Sequence, residues 1–411
     1  MTTLKQTQLA RLRLIDIRPY SQDGRPCLLL RDPLQLCDQA VTIPQQLAPL
    51  LALCDGTRDS KVLSAALAVR YGIRVEPDVM DQLVDAFDEA LLLDNERFAQ
   101  AQEQALNDYR QARFRPPSSA GQSYPADADE LDRLLHRYLD AVSEDDDYEI
   151  DAGDIRGLVS PHIDYMRGGL VYARVWKRAE RAVQDADLVV LLGTDHMGGG
   201  STITLTRQNY ATPFGILPTA RDAVDQLADV LSPQVAFADE LYHRREHSID
   251  LAAVWLHFMR EKRECEVIPI LCGSFAHFVG GDENPASDPT LNGVIDALRQ
   301  VIDGRQALVV AAADLAHVGS AFGGRPLNVA SRVQMQSADY RLVELMCAGD
   351  AEGFFAAVKD DGDQYNVCGL SPIYLTMRAL APVRGEQIIY DRCPADQDGT
   401  SLVSICGVVF A

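Results

Sequence analysis

Four histidines of this 411-residue chain stand near a carboxylate where an apolar run breaks off. "GLVSPHIDYMRGG" supplies His162 and Asp164, and "VVLLGTDHMGGG" supplies Asp195 and His196. "ALVVAAADLAHVG" supplies Asp314 and His317, and "HRREHSIDLAAVW" supplies Glu246 and His247. A neutral imidazole can ligate a metal or carry a proton near pH 7. A single buried histidine is more often a satisfied core residue. Four at element boundaries point instead to a metal or catalytic site. His136 and His257 fall within helical patterns and read as structural; His243 and His277 lie in loops and receive no role.

The chain has no HExxH or CxxC, so a metal site must be assembled from distant segments. Two histidines with a carboxylate suit non-heme Fe(II), leaving positions open for oxygen and substrate. A thiolate in place of the carboxylate favours copper, zinc or iron. The candidate thiolate is Cys368 in "NVCGLSPIYLTM", at a helix start, where the helix N-terminus favours ionisation. Cys368 and Glu246 both stand as candidates to complete the set.

Strand and helix patterns alternate around these residues, which predicts an α/β architecture. Strands are expected at "IRGLVSP", "ADLVVLLGT", "CEVIPILCG", "QALVVAAAD", "EQIIYD" and "SLVSICGVVF". Helices are expected near 127–141, 168–183, 219–231, 247–261, 289–302, 328–348 and 369–380. In open α/β sheets, ligands bind beyond the carboxyl ends of the strands. The strands thus serve as rigid arms that aim their terminal histidines into a common crevice. The glycines after His196 let backbone or ligand come close.

The first 98 residues read differently. Two strands flank a turn at Asp23-Gly24, and three helical patterns follow: "PQQLAPLLALC", "RDSKVLSAALAVRYG" and "EPDVMDQLVDAFDEALLLD". This predicts a small winged-helix-like α+β domain over 1–98. A helical linker over 99–118 is stopped by Pro116-Pro117, and the α/β domain spans 119–411. The first domain carries eleven basic and fourteen acidic residues, against DNA binding. A net charge of -22 for the whole chain argues against nucleic acid and anionic membranes as partners. The acidic run at 144–151 reads as a solvated loop. Nine scattered cysteines predict reduced thiols in a cytoplasmic protein, and the first twenty residues lack the apolar core of a signal peptide.

Eight motifs fall in order from Arg115 onward: "RPPSSAGQSYP", "SPHIDYMRGG", "LLGTDHMGG", "YATPFGILPT", "REHSIDLAAVWL", "VIPILCG", "AAADLAHVG" and "CGLSPI". With them the chain resembles the Memo family, known in bacteria as AmmeMemoRadiSam system protein B. The resemblance implies a mixed sheet flanked by helices, as in the class III extradiol dioxygenases. It implies a metal held by His162, His196 and Cys368, with Fe(II) favoured over copper or zinc. It matches His317, with Asp314 on the same segment, to a further pocket histidine, and Glu246 and His247 to a Glu-His-Ser pair. The chain departs from the family pattern at several positions, Ala313 standing where Ser is usual. Ile163-Asp164 stand where Ala-Gly is usual, Ser123 replaces an aromatic residue, and Asp195 stands for Asn or Ser. The expectation for Asp164 is an added ligand or the partner that fixes a histidine tautomer. The first domain more faintly resembles PqqD-type peptide-binding domains.

The expected function is a non-heme iron (or copper) redox protein with a dioxygenase-like pocket acting on a small molecule or peptide. His317 would serve as acid/base and Asp314 would orient it. The alternative is a non-catalytic adaptor for a radical-SAM or AMMECR-type partner. A zinc hydrolase ranks third.

Overall fold

The computed structural model describes residues 9–143, 148–198 and 200–411. Residues 144–147 of the acidic run and Gly199 of the glycine turn lie outside the described residues. The chain divides into two compact units, Met1–Gln111 and Ala112–Ala411.

In the first unit β1 (Asp16–Gln22), β2 (Arg25–Arg31) and β3 (Ala40–Pro44) form an antiparallel sheet in that order. Asp23 and Gly24 both take positive φ, 51° and 74°, as a two-residue hairpin turn with the right twist demands. Helices Ala48–Leu53, Ser60–Tyr71, Pro77–Glu89 and Glu96–Gln111 follow. Asp59 caps the second by accepting from the Val62 N–H, and Gly72 ends it at φ 70°. Leu30, Ile43, Leu50, Leu63, Leu67 and Phe87 make its core. Strand β3 was not expected. Only one of its five residues, Ile43, is buried, so its apolar signal is faint. The helix expected over "PQQLAPLLALC" correspondingly starts at Ala48, after a 3-10 turn.

The second unit holds β4 (Gly157–Ser160), β5 (Leu188–Thr194), β6 (Ile203–Leu205), β7 (Tyr210–Thr212), β8 (Gly215–Leu217), β9 (Glu266–Cys272), β10 (Ala307–Ala312), β11 (His317–Gly319), β12 (Gly385–Pro394) and β13 (Ser401–Phe410). Eight of these form one mixed sheet. Its order is β11-β13-β4-β10-β5-β9-β6, with β12 also paired to β13. The central strands β4, β10, β5 and β9 run parallel, while β13 and β6 run antiparallel beside them. β4 and β5 are buried at every residue, because helices cover both faces of a parallel sheet. The α/β expectation therefore holds, as a mixed sheet flanked by helices.

The expected long helices appear as Ala128–Asp140, Tyr165–Arg178, Arg221–Leu231, Ser248–Met259, Pro289–Ile302, Val329–Cys347 and Leu370–Leu380. Helix Ala351–Asp360 and the three-residue strands β6, β7, β8 and β11 were not anticipated; three residues are too few to show a period. Among the described residues no helix is long and apolar enough to cross a membrane.

Candidate metal centre

Three neighbouring parallel strands end at the same place. His162 follows β4 by two residues, Asp195 and His196 follow β5 directly, and Asp314 follows β10 by two. Strand β11 opens with His317. Cys368 comes just before helix Leu370–Leu380, and Glu246-His247 come just before helix Ser248–Met259. The seven expected site residues thus collect at the carboxyl end of the sheet.

Two glycines make the approach possible. A Cβ at Gly369 would lie 2.4 Å from the Asp314 carbonyl oxygen, and one at Gly193 would lie 2.5 Å from Ser248 Oγ. With hydrogen there instead, Gly369 N–H donates to the Asp314 carbonyl at 3.0 Å and Ser248 Oγ donates to the Thr194 carbonyl at 3.0 Å. Thr194 Oγ1 in turn donates to the Cys368 carbonyl at 3.0 Å.

The imidazoles share one arrangement. His162 Nδ1 lies 2.9 Å from the Ala312 carbonyl oxygen and must donate to it. His196 Nδ1 donates to Glu246 Oε1 at 2.9 Å, and His317 Nδ1 to the Leu315 carbonyl at 3.2 Å. Each Nε2 is therefore kept out of that contact. His162 Nε2 lies 3.3 Å from Cys368 Sγ. Single ligand atoms of His162, His196 and Cys368 all lie within 4.8 Å of one another. Two nitrogens and a sulfur, with each ring's other N–H held by a carbonyl or carboxylate, is the donor set and outer hydrogen bonding of a protein metal site.

A second group, His196, Glu246 and His247, is equally compact, but its carboxylate is already engaged. Glu246 Oε1 accepts from His196 Nδ1, from the His247 N–H at 2.8 Å, from the Ser248 N–H at 3.0 Å and from His247 Nδ1 at 3.1 Å. Oε2 accepts from the His196 N–H at 3.0 Å. Glu246 works as a bracket that orients two imidazoles.

Charge follows the same layout. Burial pushes the Cys368 thiol up, but the imidazoles of His162 and His317 outweigh it and hold it well below the usual thiol range. Burial opposes a charge on His162, yet Asp314 and then Cys368 raise it to about 9. Burial likewise opposes the charge of His196, and Glu246 overcomes it. Glu246, raised by burial, is carried well below its ordinary value by His196 and His247. The imidazoles and the thiol thus shift one another toward their charged forms.

Two expected roles change. Asp164 is neither ligand nor tautomer partner: it caps helix Tyr165–Arg178 by accepting from the Arg167 N–H, and it pairs with Arg167 Nε at 2.6 Å. The His162 tautomer is set by Ala312 instead. Asp314 accepts the His162 N–H at 2.8 Å, whereas His317 leans on the Leu315 carbonyl. Asp314 therefore holds His162 rather than orienting His317.

Sequence reasoning missed the brace behind Glu246. Arg115, wholly buried, pairs with buried Asp250 and donates to the Glu246 carbonyl at 2.6 Å and the His243 carbonyl at 2.8 Å. Asp250 also accepts from Tyr124 OH at 2.7 Å and the Ser119 N–H at 3.1 Å. The only signal was Arg115 and Tyr124 within one motif, which says nothing of a partner 135 residues away.

His196, Cys368 and His317 open on a cavity of about 250 Å³, shared with Thr194, Asp195, Phe275 and Asn366. A larger cavity of about 720 Å³ lies at the amino end of the strands, beside Arg156, Arg181, Arg299 and Arg305. Those guanidiniums are engaged by Pro382, Asp185, Arg378 and Asp187 respectively. No histidine or cysteine lines it.

The family model for Memo-like protein matches residues 115–408. A MEMO1 family protein of Aquifex aeolicus is 25% identical over 407 residues, 97% of this chain and 99% of its own. One from Methanosarcina mazei is 27% identical over 274 residues, 67% of this chain and 89% of its own. One from Archaeoglobus fulgidus is 23% identical over 299 residues, 72% of this chain and 99% of its own. The Aquifex protein extends the likeness into the first unit.

Proposed function

Because the chain belongs to the Memo-like protein family, we propose that it is a metal-dependent redox protein whose iron is held by His162, His196 and Cys368. The observation that carries this reading is the tethering of each ring through Nδ1, which turns Nε2 of both histidines toward the ligand position near the Cys368 sulfur. Bound Fe(II) would supply open positions where oxygen and a substrate can meet; copper or zinc would accept the same donors. The chain's own residues divide the remaining work. Glu246 keeps the proton of His196 on Nδ1, and Asp314 fixes the backbone of His162. His317 lines the same cavity with Nδ1 engaged, so its Nε2 can take a proton from a bound substrate and return it.

The test is elemental analysis of anaerobically purified protein beside His162→Ala and Cys368→Ala. Near-stoichiometric iron or copper in the wild type, lost in both variants, is expected. Zinc alone at the site would favour hydrolysis over redox chemistry. Protein that takes up no metal even on reconstitution would overturn the reading and leave partner binding as the working function.

A further inference from the structure

Asp195 has one oxygen in use and one without a partner. Its Oδ1 accepts from the Met197 N–H at 3.0 Å and the Gly198 N–H at 3.2 Å. Those two bonds fix the carboxylate plane. Its Oδ2 has no hydrogen-bond partner among the described residues, although the side chain is 6% exposed. A buried polar atom left unpaired in a native fold calls for an explanation, and a missing ligand is one.

The surroundings say which ligand. Asp195 lines the same cavity as His196, Cys368 and His317. No lysine or arginine lines that cavity, while Asp363 and Asn366 do. The carboxylate is not among the ligand atoms that cluster within 4.8 Å, so it stands beside the metal position rather than in it. Glu246 does not line this cavity. The turn that follows is open: a Cβ at Gly198 or Gly200 would meet nothing within 4 Å.

We infer that Asp195 reads the ligand of this cavity, and that the ligand it selects is a small molecule carrying a protonated primary amine. The amine supplies the N–H that Oδ2 lacks and a positive charge beside the carboxylates of Asp195 and Asp363. The remainder of the molecule then points at His196 and Cys368. A cavity of about 250 Å³ keeps that molecule small. This deepens the metal-site reading and rests on it for where the ligand's other end lies.

The probes are three catechols of one shape: dopamine with a cationic tail, 4-ethylcatechol with a neutral one and 3,4-dihydroxyphenylacetate with an anionic one. Anaerobic calorimetric titration is run on iron-loaded and on metal-free protein, for wild type, Asp195→Asn and Asp195→Ser. Wild type should bind dopamine about tenfold more tightly than 4-ethylcatechol, with the acid weakest. Both variants should bind dopamine and 4-ethylcatechol alike while keeping wild-type iron content. Equal affinities in wild type, a preference for the acid, or an amine preference that survives in both variants would overturn the role of Asp195. An amine preference in metal-free protein that the variants lose would uphold Asp195 even if no iron loads. Iron loading without an amine preference would overturn Asp195 and leave the metal site standing.

Discussion

His243 and His257 are as buried as His162, at 0%, 1% and 1% exposed, yet they do different work. His243 Nε2 donates to the Thr204 carbonyl at 3.0 Å and Nδ1 accepts from Tyr210 OH at 2.6 Å. His257 Nδ1 meets Thr212 Oγ1 at 2.8 Å. Burial holds these two rings neutral, lowering them to about 3 and about 4. His162 and His196 instead spend Nδ1 on an oxygen acceptor, and His162 Nε2 lies 3.3 Å from the Cys368 sulfur. Burial alone therefore does not set the candidate ligands apart; what does is a ring that the fold tethers through one nitrogen beside a cysteine sulfur.

Replacing a ring from each group should separate the two kinds. His243→Ala strands two buried polar groups and opens a cavity, at about 3 kcal/mol of stability, with iron content unchanged. Urea unfolding beside elemental analysis checks both halves; a loss of iron would blur the distinction. Glu246→Ala removes the acceptor that orients His196 Nδ1. It should weaken iron binding roughly 10–100-fold, seen by competition with a chelator, with Glu246→Gln less affected. An unchanged affinity would mean that His196 needs no bracket.

Acidity should sharpen the contrast. His243 and His257 are depressed in the native state, so only the unfolded chain takes up protons below about pH 6.5. Their contribution is complete above that value and falls as pH drops toward about 4 and then about 3. Unfolding midpoints at pH 7, 6 and 5 should decline, and His257→Gln should flatten the slope. Iron affinity should rise with pH toward about 9, because protons on His162 compete with the metal. The smallest effect is expected for Thr212→Val, about 1 kcal/mol from one hydrogen bond.

The sequence exposed one half of this contrast. Histidines at the tips of apolar runs could be read as aimed at a crevice, because strand ends are visible locally. Partners could not. Nothing near His243 announces Tyr210 or Thr204, so it read as a loop residue without a role. Asp164 was misread for the converse reason. An aspartate that caps a helix and one that touches a metal look identical in sequence, and only Arg167 three residues on hinted at the cap. The short edge strands were silent, while the long buried strands β5, β9 and β10 spoke plainly. Which of Cys368 and Glu246 is the better placed candidate depends on which side chain already has its lone pairs engaged, a property of assembled packing.

His162 and Cys368 meet although they stand 206 positions apart in the chain. A contact of that sequence separation carries a loop-closure cost that local contacts do not. Metal ligands four residues apart on one helix can gather an ion while the chain is still disordered. These cannot. On the proposed reading an ion would meet a finished protein, so its occupancy would report completed folding rather than guide it, and a chelator should strip the site while leaving the sheet intact.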